Sequence, residues 1–261
     1  MNTGASSAET GAWQSFFDEI ARWNDAGRMV EFWWRDDDAA RPDPALSRLL
    51  ALAQRLAAPL ALAVVPLPCE TEIFANAGAQ VSVLQHGTDH ANRAAGGEKK
   101  TEFSAAEAPA AALARLTAAR RQLQARAGRR FLPVLAPPWN RLPANLAPHL
   151  AAAGFRGVTQ YGARARAEAA PGLRQVNTHV DIVAWRSGRG FIGAEHALAA
   201  ATRHLAAKRA ALADPQEATG WLSHHAVHDE AAWAFIEQLF ESTKRLSGVV
   251  WRRPEEIFHI S

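Results

Sequence analysis

One cysteine in 261 residues, Cys69, excludes an intramolecular disulfide and any structural zinc built on several thiolates. It suits a reducing compartment and reads as a small core filler. Nor is there an excess of one charge. The formal net charge is +3 although the pI is near 9.5, and the arginines are scattered. The densest run, "RRQLQARAGRR" (120–130), alternates at helical spacing and reads as a solvated helix face, so no nucleic-acid partner is expected. No apolar run is long enough to span a bilayer. The first twelve residues, "MNTGASSAETGA", lack the apolar core of a signal peptide and read as a short mobile N-terminus. These readings point to a cytoplasmic chain, with residues 13–261 as a single domain.

What is present is a sequence of apolar runs and amphipathic stretches. Trp13, Phe16, Phe17, Ile20 and Trp23 follow helical spacing. "MVEFWW" (29–34), "PLALAVVPL" (59–67), "VSVLQHG" (81–87), "FLPVLAPPWN" (131–140), "FRGVTQYG" (155–162), "VDIVAW" (180–185) and "GWLSHH" (220–225) read as strands. Helical stretches separate most of them, among them 105–127, 194–213 and "DEAAWAFIEQLFEST" (229–243). Such alternation predicts βαβ units and a parallel sheet, hence an α/β fold. About seven units fit, in the order of a barrel, where reactive residues follow the strands.

The chemically active residues do follow them. Arg35, Asp36, Asp37 and Asp38 come after the first run, and His86 and His90 after "VSVLQ". Pro137, Pro138, Trp139, Asn140 and Arg141 follow "FLPVLA", while His224, His225, His228 and Asp229 follow "GWLS". Two imidazoles with one carboxylate can hold a divalent ion and leave positions open for water and substrate. An ion would also make adjacent carboxylates tolerable at the end of an apolar run. Ligand type admits zinc first, and equally iron, cobalt, manganese or nickel. Taken alone, the aspartate triplet suits a helix N-cap and a surface turn, and the two histidines suit a loop. Their joint placement at strand ends favours the metal.

The pattern resembles the polysaccharide deacetylases, the NodB-homology domains of carbohydrate esterase family 4, with the motifs in the family's order over roughly 30–255. The resemblance implies a distorted, incomplete barrel of seven strands that removes acetyl groups from amino sugars with one divalent metal. Laid on "WWRDDDA" it implies Asp37 as base and Asp38 as ligand; laid on "HGTDH" it implies His86 and His90 as the other ligands. "APPWN" resembles the third motif, so that the Trp139 amide would help hold an oxyanion. "DIVAW" resembles the fourth, with Asp181 and Trp185 at the substrate beside Asn140 and Arg141; "WLSHH" resembles the fifth, with His224 as acid. The family's arginine that orients the base falls at Ala136, leaving Arg141 or Arg35 to replace it. The triplet leaves the register open, and Asp36 would pair with Arg35 or hold a loop. The expected activity is metal-dependent removal of an acyl group, N-acetyl foremost, from a small or oligosaccharide amino-sugar substrate. The alternatives are a metal-free glycoside hydrolase working with paired carboxylates, and a silent sugar-binding barrel.

Overall fold

A computed structural model describes residues 7–260 of the chain. Its strands are β1 (Val30–Ala39), β2 (Leu60–Val64), β3 (Val81–His86), β4 (Phe131–Ala136), β5 (Gly157–Val158), β6 (Glu168–Ala170), β7 (Leu173–Gln175), β8 (Val180–Asp181), β9 (Thr219–Ser223) and β10 (Val249–Trp251). The helices are α1 (Ser7–Asp25), α2 (Pro44–Leu56), α3 (Pro109–Ala127), α4 (Ala147–Leu150), α5 (Ala194–Arg209), α6 (Glu230–Thr243) and α7 (Pro254–Phe258).

All strands join one sheet in the order β6-β7-β5-β4-β3-β2-β1-β9-β8, with β10 on β1. Every pairing is parallel except the β6–β7 hairpin. The sheet curls without closing by a ladder. A single parallel bridge, Tyr161 to Thr178, spans the gap between the continuation of β5 and the approach to β8. This is the incomplete α/β barrel expected from the alternation.

Side chains alternate along the strands and so divide the core in two. On β1, Phe32 and Trp34 face the helices, whereas Trp33 faces the interior with Ala61 and Ala63 of β2, Leu84 of β3 and Val134 of β4. The alanines leave room for the Trp33 indole, which donates to the Asn177 carbonyl at 3.1 Å and meets Phe258 of α7 edge-on. Burying an indole or phenyl ring in this way contributes about 1.5–3 kcal/mol. Position 220 must be glycine, because a β-carbon there would lie 2.4 Å from the Trp33 nitrogen. Outside the barrel, α1 packs its Trp13, Phe16, Ile20 and Trp23 face inward, and α5 lies against it.

The structure differs from the sequence reading in several places. Helix α1 begins at Ser7, so the expected mobile segment 1–12 overlaps it, and residues 1–6 lie outside the described residues. Strand β1 runs on through the three aspartates to Ala39. The runs at 155–162 and 180–185 contribute strands of only two residues each, followed by single bridges at Tyr161 and Val183. The β6–β7 hairpin falls in a stretch of alanine, glutamate and arginine with no apolar alternation to announce it. Asp229 is the N-cap of α6, accepting the Ala232 amide at 2.8 Å, and also accepts the Phe191 amide, so its place after β9 is structural. Of the arginines at 120–126, Arg121 is exposed on α3, Arg120 is half-buried, and Arg126 donates to the Pro66 carbonyl at 2.7 Å. No described helix is long and apolar enough to cross a membrane.

Candidate metal centre

The end of β1 resolves the aspartate triplet. Arg35 and Asp37, two residues apart, share the interior face. Asp36, between them, faces outward. Regular alternation would turn Asp38 outward as well. Instead Asp38 has φ 75°, and the pairing with β2 shifts register between Asp36 and Ala39. This irregularity brings two consecutive carboxylates to one site.

Asp38 Oδ1 lies 3.1 Å from His86 Nε2 and 3.3 Å from His90 Nε2. Ligand atoms of the three residues all fall within 4.8 Å of one another. His86 ends β3 and is buried. Its Nδ1 is 2.9 Å from the Ala136 carbonyl, to which it can only donate. The lone pair of the neutral ring is therefore on Nε2, facing a carboxylate oxygen that has no hydrogen-bond donor of its own. Two electron-rich atoms at 3.1 Å require positive charge between them or on one of them. Burial opposes a charge on His86, yet the Asp37 and Asp38 carboxylates hold its imidazole above the ordinary range. Burial would likewise raise the Asp38 carboxyl, but His86, His224 and His90 keep it far below the usual carboxylate range. These residues fit a divalent ion.

Arg35 is fully buried, with Nε 2.8 Å from Asp37 Oδ1 and one terminal nitrogen 2.9 Å from Asp37 Oδ2. It also donates to Asn140 Oδ1 at 2.6 Å and Thr159 Oγ1 at 2.8 Å. Of the two arginines considered for the clamp, Arg35 occupies it. Arg141 instead donates to the Lys100 carbonyl, tying two loops together. Asn140, expected at the substrate, turns its side chain onto Arg35, and its carbonyl accepts from Gln160 at 3.2 Å. Trp139 stands in a 3-10 turn with a left-handed backbone, φ 56°, its ring 4.4 Å from that of His90.

Across the site, His224 Nε2 is 3.9 Å from Asp37 Oδ2. The Trp185 ring meets His224 edge-on at 4.7 Å and is 44 % exposed. Its indole donates to Asp181 Oδ2 at 2.8 Å, and Asp181 Oδ1 accepts the Val183 amide. Burial raises the Asp181 carboxyl, and the Asp37 charge adds to the effect.

Asp36 has a separate task. Its carboxylate accepts from Ser223 Oγ at 2.6 Å, from the His225 amide at 3.0 Å and from His225 Nδ1. Ser223 in turn accepts from the Trp34 indole. The first aspartate of the triplet thus pins the turn after β9 and holds His225 away from Asp37, leaving His224 as the imidazole that faces Asp37. Alternation along β1 signals this outward role.

Glu102 had no sequence signal. It is buried in the loop between β3 and α3, where it accepts the Thr88 amide at 2.7 Å, the Thr88 hydroxyl and the His90 amide at 3.2 Å.

A second group, His179, His204 and Glu217, also brings three ligand-type atoms within 4.8 Å. It lies at the opposite, N-terminal end of the strands, where His179 precedes β8 and Glu217 precedes β9. The Gly220 amide donates to His179 Nδ1 at 3.0 Å, so the neutral ring carries its proton on Nε2, 3.3 Å from Glu217. That nitrogen has no lone pair for a metal. Glu217 accepts the Asn177 and Arg164 amides, and burial pushes the nearby Lys208 ammonium down to about 8. This cluster is a buried polar brace.

No protein-family model matches the chain, and no curated protein matches it. Solved structures do. A family 4 carbohydrate esterase from Streptomyces lividans, in complex with acetate, matches at TM-score 0.52 and 14% identity, over 85% of this chain and 91% of its own. The Bc1960 peptidoglycan N-acetylglucosamine deacetylase matches at 0.57 and 12% identity, over 88% and 89%. The allantoinase Puue matches at 0.58 and 13% identity, again over 88% and 89%. At such identities the likeness is one of fold. The chain resembles the polysaccharide deacetylases in architecture as it does in motif order.

Proposed function

We propose that this chain is a metal-dependent hydrolase that removes an acyl group, N-acetyl foremost, from an amino sugar, a glycan or a glycan precursor. The observation that carries the reading is the convergence of Asp38, His86 and His90 within 3.1–3.3 Å, one residue from a carboxylate clasped by a buried arginine. Asp38, His86 and His90 would hold one divalent ion, zinc foremost. When bound, that ion supplies Lewis acidity toward the amide carbonyl and lowers the pKa of water in the site.

The rest falls to the chain's own side chains. Asp37 is the base that takes a proton from the attacking water, and Arg35 fixes the direction in which its carboxylate points. His224, facing Asp37 across 3.9 Å, is the acid that gives a proton to the departing amine. The left-handed turn at Trp139 presents its backbone amide to the developing oxyanion. Trp185, half-exposed and braced by Asp181, offers an aromatic face to a sugar ring. Arg141 acts at the substrate side by closing the loop edge. Beside Gln160, an open cleft of about 630 Å³ has room for a further sugar.

A metal-free glycosidase is disfavoured, because it needs two carboxyl groups free to act on opposite sides of a bond. Here Asp38 is committed to two imidazoles and Asp181 to Trp185, so Asp37 has no second free carboxyl group opposite it. The allantoinase neighbour leaves room for a non-sugar amide, which the assay must include. The test is acetate release from N-acetylated amino sugars, their oligosaccharides and nucleotide-linked forms, with allantoin alongside. Chelation should abolish turnover and added zinc or cobalt restore it. Asp37→Asn should retain the metal and lose turnover by about 10²–10⁴-fold, the range for a general base. Turnover indifferent to a chelator would defeat the proposal.

A further inference from the structure

Between the two imidazoles of "HGTDH" the backbone is left-handed twice, at Gly87 with φ 63° and at His90 with φ 57°. Glycine adopts that region freely, whereas a histidine does so only when neighbours hold it there. The neighbour is Glu102. Its Oε1 accepts the Thr88 amide and hydroxyl, and its Oε2 accepts the His90 amide at 3.2 Å. All three donors lie between His86 and His90, so one buried carboxylate closes a ring around the ligand-bearing turn. It also accounts for Gly87: a β-carbon there would fall 2.1 Å from Glu102 Oε2 and 2.6 Å from Pro138 Cγ.

Glu102 is not explained as half of an ion pair. The cation next to it, Arg93, lies 4.0 Å away and spends two nitrogens on Asp89, each at 2.7 Å. A buried carboxylate whose closest partners are two amides and a hydroxyl is placed to accept from them.

We infer that Glu102 is a positioning residue for the metal centre: by accepting the His90 amide it fixes the left-handed backbone that aims the His90 imidazole at Asp38. The inference rests on reading Asp38, His86 and His90 as ligands. It predicts an effect on affinity even when the fold is intact. Residues that orient metal ligands from behind typically change affinity by about 10–100-fold when lost. Glu102→Gln is nearly isosteric but has one acceptor oxygen, and its NH₂ must turn toward a backbone amide that also donates.

The experiment is competition for zinc between the full-length chain and a chromophoric chelator, on wild type, Glu102→Gln and Thr88→Val, with circular dichroism and thermal unfolding of each apo protein. The expected result is one zinc per wild-type chain and about tenfold or weaker binding by folded Glu102→Gln. Thr88→Val, which keeps both amide bonds, should stay within about threefold of wild type. Cobalt(II) loaded at saturation should show a shifted visible spectrum in Glu102→Gln, reporting a re-aimed ligand. Wild-type affinity and spectrum in folded Glu102→Gln would overturn the inference and leave the metal reading standing. A wild type that binds no zinc or cobalt would overturn the metal reading itself, and the inference with it. Should Glu102→Gln not fold, amide hydrogen exchange in wild-type apo protein decides. Protected Thr88 and His90 amides support the inference, and fast exchange at His90 overturns it.

Discussion

Two groups in this barrel, each of two histidines and a carboxylate, look alike in composition and behave differently. At the C-terminal end of the strands, His86 spends its Nδ1 proton on the Ala136 carbonyl and turns a lone pair to Asp38. At the N-terminal end, His179 accepts the Gly220 amide on Nδ1 and turns a proton to Glu217. Residue type and proximity are the same in both. What separates a group that fits a metal from a structural brace is the hydrogen bond on the far side of the ring, which decides whether the near nitrogen is a base or a donor.

The largest expected effect is on metal content. Asp38→Ala and His86→Ala should each cut bound zinc from about one equivalent per chain to near zero, as removal of one of three ligands implies. His204→Leu should leave it unchanged. Elemental analysis checks all three, and a second equivalent lost with His204→Leu would break the comparison.

Next comes the clamp on the base. Arg35→Met leaves the Asp37 carboxylate buried and unpaired, a change that costs about 3–5 kcal/mol in buried pairs. Denaturant unfolding should show a loss of that order, with turnover falling further than zinc affinity. Equal stability of the variant and the wild type would remove Arg35 from its assigned role.

The smallest effect sharpens the contrast at the brace. Burial, with the neighbouring His179 and Lys208, pushes the His204 imidazole down from its ordinary 6.5 to about 2. Burial likewise pushes His228 down to about 4. A base with a depressed folded pKa stays neutral in the fold while the unfolded chain takes up a proton. Stability is therefore complete above about pH 6.5 and is lost as pH falls from there toward the folded pKa values. His204→Leu should remove one proton's share of that acid slope, about 1 kcal/mol per pH unit after allowance for partial exposure. Urea unfolding between pH 6.5 and 4.5 measures it, and parallel slopes in variant and wild type would contradict the assignment.

How far the site could be read before the fold was known depends on the kind of signal. Asp37, Asp38, His86, His90 and His224 stand where apolar runs end, and the barrel brings those ends together. The interior alternation on β1 also marks Arg35 as a same-face neighbour of Asp37, although the arginine of the resembling family would have come from the position of Ala136. Asp38 was ambiguous because only a left-handed residue inside the strand turns it inward, and nothing in "RDDDA" announces one. Glu102 was invisible, since it reaches His90 through a loop with no periodicity. The barrel itself was legible through β1 to β4 and β9, whose strands are buried on both faces. Strands β5 and β8 fall inside runs read as strands but are only two residues long, whereas the β6–β7 hairpin was not legible, since three-residue strands leave little pattern.

The placement of Arg35 has a consequence for how such a site can change over time. With the guanidinium and its carboxylate two residues apart on a single strand, the clasp between them travels as one short cassette. Strand β4, three places along the sheet, ends in an alanine instead of supplying that charge, and the turn beyond it reaches the clamp only through Asn140.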